Sequence, residues 1–362
     1  MIEVNEETSD ILEKSLSGKR ISKEEAYDLM LTDSLFTLGS AANNLRQKKC
    51  GDTVTYIVNR NINFTNICQG SCKFCAYRKG VKSKSGFLMT PKEVVKRVVE
   101  AAAFGATEVC IQGGLHPDLD MKYYTNILES IKSKCDVHIH AFSPMEVTFM
   151  AGKSGLGIKE TLKILKEKGL GSMPGTAAEI FDREIRDVIC PEKISADEWI
   201  TVVKTAHNLG IPTTATMLYG HIERPEHRIN HLDVLRTIQD ETGGFTEFVP
   251  LSFIHYNTPL KQMYPEIYGA SGLEDLKMYA ISRLFLDNFT NIQASWVKLG
   301  KKLAQVALSF GANDLGGTIM DENISRAAGQ KVDVMDEDEI RAIIAGASRK
   351  PVKRDTLYET SL

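Results

Sequence analysis

TVTYIV (residues 53–58), TPKEVVKRVVEAAAFGA (90–106) and TEVCIQGG (107–114) are the stretches on which the fold turns. The first and third are short runs rich in β-branched residues, the composition of strands. Between them, Thr90 and Glu93 are spaced as a capping box with Pro91 at the first helical position, ahead of apolar residues at helical spacing. Strand, helix, strand is the unit from which a parallel sheet is assembled.

Working outward, the alternation continues through DVHIHAF (136–142), a helix beginning near Lys159, and a turn at GLGSMPG (169–175). It runs on through WITVVKTAHNLG (199–210) behind a Ser195–Glu198 capping box, then TTATMLYG (213–220) and TEFVPLSF (246–253). After Leu273 the pattern is again helical, followed by a strand pattern at NIQASW, a helix around KLGKKLAQVALSFG, and ANDLGG (312–317). Six core units read directly, and the later elements are compatible with eight. The fold class is therefore α/β, a TIM-barrel-like (β/α) barrel over residues 51–330. Residues 1–50 read as an N-terminal helical extension, with Ser22 and Glu25 as a capping box. Residues 331–362 read as one short helix and a basic, proline-containing tail expected on the surface.

At 362 residues and 43% apolar composition the chain can bury a large core. Lys and Arg number 44 against 47 acids, so no polycationic field exists to attract nucleic acid, and a small-molecule substrate is expected. The start, MIEVNEETSD, has no signal-peptide pattern, and no window approaches a membrane span, which reads as a cytoplasmic protein with no membrane partner. Seven irregularly spaced cysteines do not form a disulfide framework and suit a reducing compartment where thiolates bind metal.

Three of the seven, Cys68, Cys72 and Cys75, lie within eight residues, in the loop after the first barrel strand. In such barrels those loops carry the chemistry. Three close thiolates can hold three irons of a 4Fe-4S cube and leave the fourth iron open for a chelating ligand. A structural zinc site wants a fourth protein ligand, and no second CxxC is present. A ferredoxin-like carrier would need Cys50, Cys110, Cys135 or Cys190 to complete the cluster, and each of these stands alone in a helical or strand pattern.

CxxxCxxC, with Phe74 inside the last pair and Tyr77 two residues beyond it, resembles the signature of the radical S-adenosylmethionine superfamily. The resemblance implies that a methionine amine and carboxylate chelate the open iron, and that reduction of the sulfonium releases a 5'-deoxyadenosyl radical. It also implies that Tyr77 packs on the adenine, that the strand end Gln112-Gly113-Gly114 contacts the methionyl amine, and that Glu179 accepts from the ribose hydroxyls. The common acid after those glycines is Leu115 here, leaving backbone carbonyls for the contact. Without the resemblance, the glycine pair reads as a turn and Glu179 as a helix-start residue.

Further blocks, among them NRNINFTNIC, HIHAFSPMEV, TATMLYGHIERPEHR, DETGGF and FIHYNTPL, extend the resemblance over residues 53–330. They are similar to the group holding the tyrosine-utilising subunit of deazaflavin (FO) synthase and two radical enzymes of the futalosine route to menaquinone, and MPGTAAEI with FIHYNTPL lies nearer the first. That family implies hydrogen abstraction from the amine of L-tyrosine, Cα–Cβ cleavage, and addition of the hydroxybenzyl group to 5-amino-6-(D-ribitylamino)uracil. It further implies an external one-electron reductant and a second FO synthase subunit as functional partner. The alternatives are a futalosine-pathway radical enzyme and a non-catalytic Fe-S or zinc protein.

His138 and His140, two apart in a strand, share a face that in a barrel is the interior, either as paired core histidines or as catalysts. His221 and Glu223 follow the fifth strand, and His255 and Asn257 the sixth. These six are the candidate catalytic set, suited to orienting a zwitterionic amino acid and a ribityl chain.

Overall fold

The computed structural model describes residues 6–331 and 334–359. Among the described residues there are eight strands: β1 (Thr53–Ile57), β2 (Asn59–Asn63), β3 (Glu108–Gln112), β4 (His138–Ala141), β5 (Thr213–Tyr219), β6 (Phe245–Ser252), β7 (Asp314–Gly317) and β8 (Lys350–Lys353). β1 and β2 are one run interrupted at Val58, and β2, β3 and β4 pair in parallel with Asn59 opposite Glu108 and Glu108 opposite His138. Isolated parallel bridges continue the ring, with Ser172 opposite His140 and Met173 opposite Thr213. β5 pairs with β6; Phe248 then bridges to Ile292 and Gln293 to Asp314, and β7 closes on β1 with Thr55 opposite Asp314. The ring thus has eight parallel positions, two of them reduced to bridges, which is why six units stood out in the sequence. No helix among the described residues is long and apolar enough to cross a membrane.

Helices follow the strands as the caps foretell. Thr90 and Glu93 cap Pro91–Ala103, and Ser195 and Glu198 cap Ala196–Asn208, each as a reciprocal capping box. The outward residues of the first strands, Ile62, Val109, Ile111 and Ile139, pack with Val94, Val98, Ile127 and Leu128 of the covering helices. Their inward neighbours are polar: Asn59, Asn61, Glu108, Cys110 and His140 alternate with them along the strands.

The N-terminal extension is three helices, Glu6–Leu16, Lys23–Leu31 and Leu35–Cys50, the second with the Ser22–Glu25 box. Leu29, Leu38 and Ala42 belong to the same apolar cluster as Tyr279, Leu284 and Phe285 of the helix Gly272–Phe285. The Arg20 guanidinium also reaches Asp240 at 2.6 Å and Asp287 at 2.9 Å.

The tail departs from the surface position expected for it. β3 begins opposite Asn59, so the lower edge of β1 is free, and β8 fills it with Thr53 opposite Lys350 and Tyr56 opposite Lys353. Beyond β8 the chain enters the barrel floor. Arg354, only 3% exposed, pairs with Asp314 at 2.5 Å; Thr356 donates to Glu108 at 2.7 Å and Tyr358 to Glu247 at 2.5 Å. A basic tail reads as solvated only until its acidic partners are known.

Candidate active site

The loop after β2 is tied on both sides before it reaches the cysteines. Thr65 donates through its hydroxyl to the Phe87 carbonyl at 2.6 Å, and Asn66 takes the Phe87 amide at 2.9 Å and donates to the Ser85 carbonyl at 3.1 Å. The Cys68 amide donates to Lys79 and the Gln69 amide to Leu115, and Lys73 links the loop to Ile189 and Leu260 across the mouth. Cys68, Cys72 and Cys75 are free, half-buried, and line one cavity of about 270 Å³. Among the described residues, no three His, Cys, Asp or Glu side chains stand together as ligands of a single ion. Burial pushes the Cys72 thiol up to about 12, with Lys193 opposing the rise.

Gly113 and Gly114 are required by the approach of this loop. A Cβ on Gly114 would stand 2.3 Å from the Ile67 carbonyl oxygen and 2.9 Å from Cys68 Cβ; one on Gly113 would stand 2.4 Å from the Phe64 ring. The pair seats the cysteine loop against β3 and lines the cavity beside it. Gln112 reaches the cavity too, accepting from the Thr176 hydroxyl at 3.1 Å.

Tyr77 and Glu179 complete the cofactor-binding candidates on this cavity. The Tyr77 hydroxyl is buried without a hydrogen-bond partner among the described residues, and burial pushes its pKa up to about 12. Such a group is costly unless something binds against it. Glu179 sits at φ 48 and is ion-paired with Lys193, whose ammonium lies 5.0 Å from the Phe74 ring centroid.

Two further residues on the cavity escaped the sequence reading. Glu146 accepts from the Gly113 amide at 3.0 Å and from the Ser143 amide and hydroxyl at 2.8 and 2.7 Å. Burial raises its carboxyl to about 7, the hydrogen bonds from Ser143 and Gly113 limiting the rise. Its signal was present, since Ser143-Pro-Met-Glu146 is a capping box just after β4. The second is Lys298, a single lysine inside a helical pattern with no local signal to mark it.

None of the six candidate catalytic residues lines the cavity. His138 and His140 do face the barrel interior, but low in it, both held by Ser172 Oγ at 2.8 and 2.6 Å. β4 is so short, and starts so low opposite Glu108, that the pair lies toward the floor. Burial lowers the His140 pKa to about 4, with Glu108 working against it. His221 and Glu223 are spent on their own turn: Glu223 accepts from the Gly220 and His221 amides at 2.6 and 2.8 Å and from Arg228 at 2.8 Å. His255 packs 4.2 Å from the Tyr256 ring, and Asn257 donates to the Ala327 carbonyl at 3.1 Å, tying two loops at the mouth.

Three thiols, a tyrosine hydroxyl with no partner among the described residues and a glycine-lined wall meet on one cavity. A model of the CofH/MqnC C-terminal region matches residues 242–361, and one of the radical SAM superfamily matches residues 62–235. The chain is 55% identical over 348 residues to the 5-amino-6-(D-ribitylamino)uracil--L-tyrosine 4-hydroxyphenyl transferase of Methanocaldococcus jannaschii, covering 94% of this chain and 97% of that protein. The chain belongs to this radical SAM transferase family. The transferase of the same name from Methanothermobacter thermautotrophicus is 52% identical over 356 residues, 97% of each chain. Among solved structures, methylornithine synthase (PylB) superposes with a TM-score of 0.71 at 20% identity, over 94% of this chain and 97% of its own. The hydrogenase maturase HydG from Carboxydothermus hydrogenoformans gives 0.78 at 18% identity, over 98% of this chain and 81% of its own. At those identities the two share the fold with this transferase family. As a radical SAM enzyme, the protein uses a 4Fe-4S cluster and S-adenosyl-L-methionine.

Proposed function

We propose that this chain transfers the 4-hydroxybenzyl group of L-tyrosine to 5-amino-6-(D-ribitylamino)uracil, with Cys68, Cys72 and Cys75 holding the cluster. The observation that carries the reading is the gathering of all three thiols with Tyr77, Gln112, Gly113, Gly114 and Glu179 on one cavity, in a chain more than half identical to enzymes of that name.

The residues present fit the cofactors. Three thiolates take three irons of the cube and leave one iron free of protein ligands. Binding displaces the thiol protons, so the high pKa of Cys72 is no obstacle. When bound, the cluster and S-adenosyl-L-methionine supply the one-electron chemistry that opens the tyrosine side chain. The chain's own part is to hold and enclose. Tyr77 gains through the nucleoside the partner its hydroxyl lacks, and Glu179 turns its carboxylate to the ribose while still neutralised by Lys193. Glu146 places a carboxylate beside the Gly113 amide, where Leu115 offers none. Leu218, Leu251, Phe253 and Ile254 give the cavity an apolar wall that excludes water from a reactive intermediate.

An external one-electron donor and a second FO synthase subunit, acting on the adduct, are the partners this reaction requires, in a cytoplasmic setting. Anaerobic turnover of the reconstituted protein with dithionite, S-adenosyl-L-methionine, L-tyrosine and 5-amino-6-(D-ribitylamino)uracil tests the reading. Mass spectrometry is expected to detect 5'-deoxyadenosine together with the hydroxybenzyl adduct. 5'-Deoxyadenosine without the adduct would retain the radical chemistry and reject these substrates.

A further inference from the structure

Lys298 stands on the short helix Trp296–Leu299, just after the seventh ring position, and lines the cavity together with Cys75, Ile324 and Ala328. Its ammonium donates to Ser325 Oγ at 3.0 Å, a neutral partner. The Ser325 amide in turn donates to Glu322 at 2.7 Å, and the other Glu322 oxygen takes Asn61 at 3.3 Å, so the lysine is aimed by a bonded chain reaching β2. Among the described residues no carboxylate comes within 4.0 Å of it. The other cations at the cavity differ. Lys193 is committed to Glu179, and Arg78 is exposed. Burial lowers the Lys298 pKa, while Glu322, Glu179 and Cys75 act from farther off to raise it. A partly buried ammonium with one neutral hydrogen-bond partner is best satisfied by an incoming anion.

We propose that Lys298 binds the carboxylate of the amino-acid substrate, an inference that rests on the reaction proposed above. Three molecules must enter, and their chemistry selects the anion. By the family resemblance, the methionyl carboxylate of the cofactor would go to the open iron. The ribityl chain and the uracil ring carry no carboxylate. The carboxylate of L-tyrosine is what remains. This grip falls on the part of tyrosine that is not transferred. When Cα–Cβ breaks, one electron of the bond stays with the hydroxybenzyl carbon. The other pairs with the unpaired electron left on nitrogen after hydrogen removal, giving the C=N bond of a two-carbon imine that keeps the carboxylate. Lys298 therefore retains the glycine-derived fragment once the Cα–Cβ bond has broken.

The test compares L-tyrosine with tyramine, which lacks only the carboxylate. Binding of each to the anaerobically reconstituted protein is measured by equilibrium dialysis for wild type, Lys298→Met and Lys298→Arg, with iron content determined in parallel. The methionine variant is expected to weaken L-tyrosine by about tenfold or more, the loss of one charge-assisted hydrogen bond, and to leave tyramine unchanged or improved. The arginine variant should restore part of the tyrosine affinity at unchanged iron content. Equal weakening of both ligands, or tyrosine affinity unchanged in Lys298→Met, would overturn the assignment. Failure of the wild type to bind L-tyrosine would overturn the proposed reaction and this assignment with it.

Discussion

Each of the three cysteines carries the same demand, because a cluster held by three thiolates has no spare protein ligand. Alanine at Cys68, Cys72 or Cys75 is expected to reduce bound iron and remove 5'-deoxyadenosine formation; near-normal cleavage in any of the three would reject the cluster assignment. His140 makes the opposite prediction. Its pKa falls from the ordinary 6.5 to about 4 on folding, because burial disfavours the charged form. Between those values the unfolded chain binds the proton and the folded chain does not, so this residue costs stability as pH falls from about 6.5 to 4. His140→Asn should therefore lessen the acid-side loss of stability by up to one proton's worth of slope, read from denaturation midpoints across that window. It should also leave S-adenosyl-L-methionine cleavage largely intact, since Ser172 holds the ring and it does not line the cavity of the thiols. A collapse of cleavage with iron content preserved would restore His140 to the catalytic set.

The cysteine loop and β3 act as one unit because two glycines let their backbones touch. Gly114→Ala puts a methyl group 2.3 Å from the Ile67 carbonyl, and backbone cannot yield as a flexible side chain can. The barrel should still fold, since the helices covering β3 pack on Val109 and Ile111 rather than on the glycines. The expected result is a native circular dichroism spectrum with iron content lowered severalfold. Full iron incorporation would mean that the loop seats itself without β3. Strand alternation told correctly that His138 and His140 share the interior face. It carried no information on height along the barrel axis, which depends on where β4 starts against β3. The turn after β5 shows the same limit: TMLYGHIE reads as a polar strand end, yet Glu223 is consumed by the Gly220 and His221 amides and by Arg228.

The whole molecule is a barrel open at the thiol end and stoppered at the other by residues 354–358. Arg354 holds Asp314 and lies 3.5 Å from Glu247, while Tyr358 packs 4.0 Å from its guanidinium carbon. Removing one member of such a buried set leaves the others uncompensated, at about 3–5 kcal/mol. Arg354→Met should lower folding stability by that order in chemical denaturation, whereas Arg183→Met, on a side chain 93% exposed, should change it little. Equal, small effects would show that the stopper contributes no stability.

The sequence by itself determined the alternation of strands and helices, the capped helix starts and the cysteine loop. Each of these is written in residues a few positions apart, where spacing and local hydrogen bonding decide the outcome. Only the tertiary structure decided which polar residues meet. Arg354 finds Asp314 across 40 residues, Thr356 finds Glu108 across 248, and Lys298 finds Ser325 on another short helix. Those pairings depend on ring closure and strand register, which are set by the packing of the whole barrel and leave no periodic trace along the chain. Lys298 and Glu146 therefore came to light beside the thiols only once the barrel had closed around them, while the histidines expected there were carried to its floor.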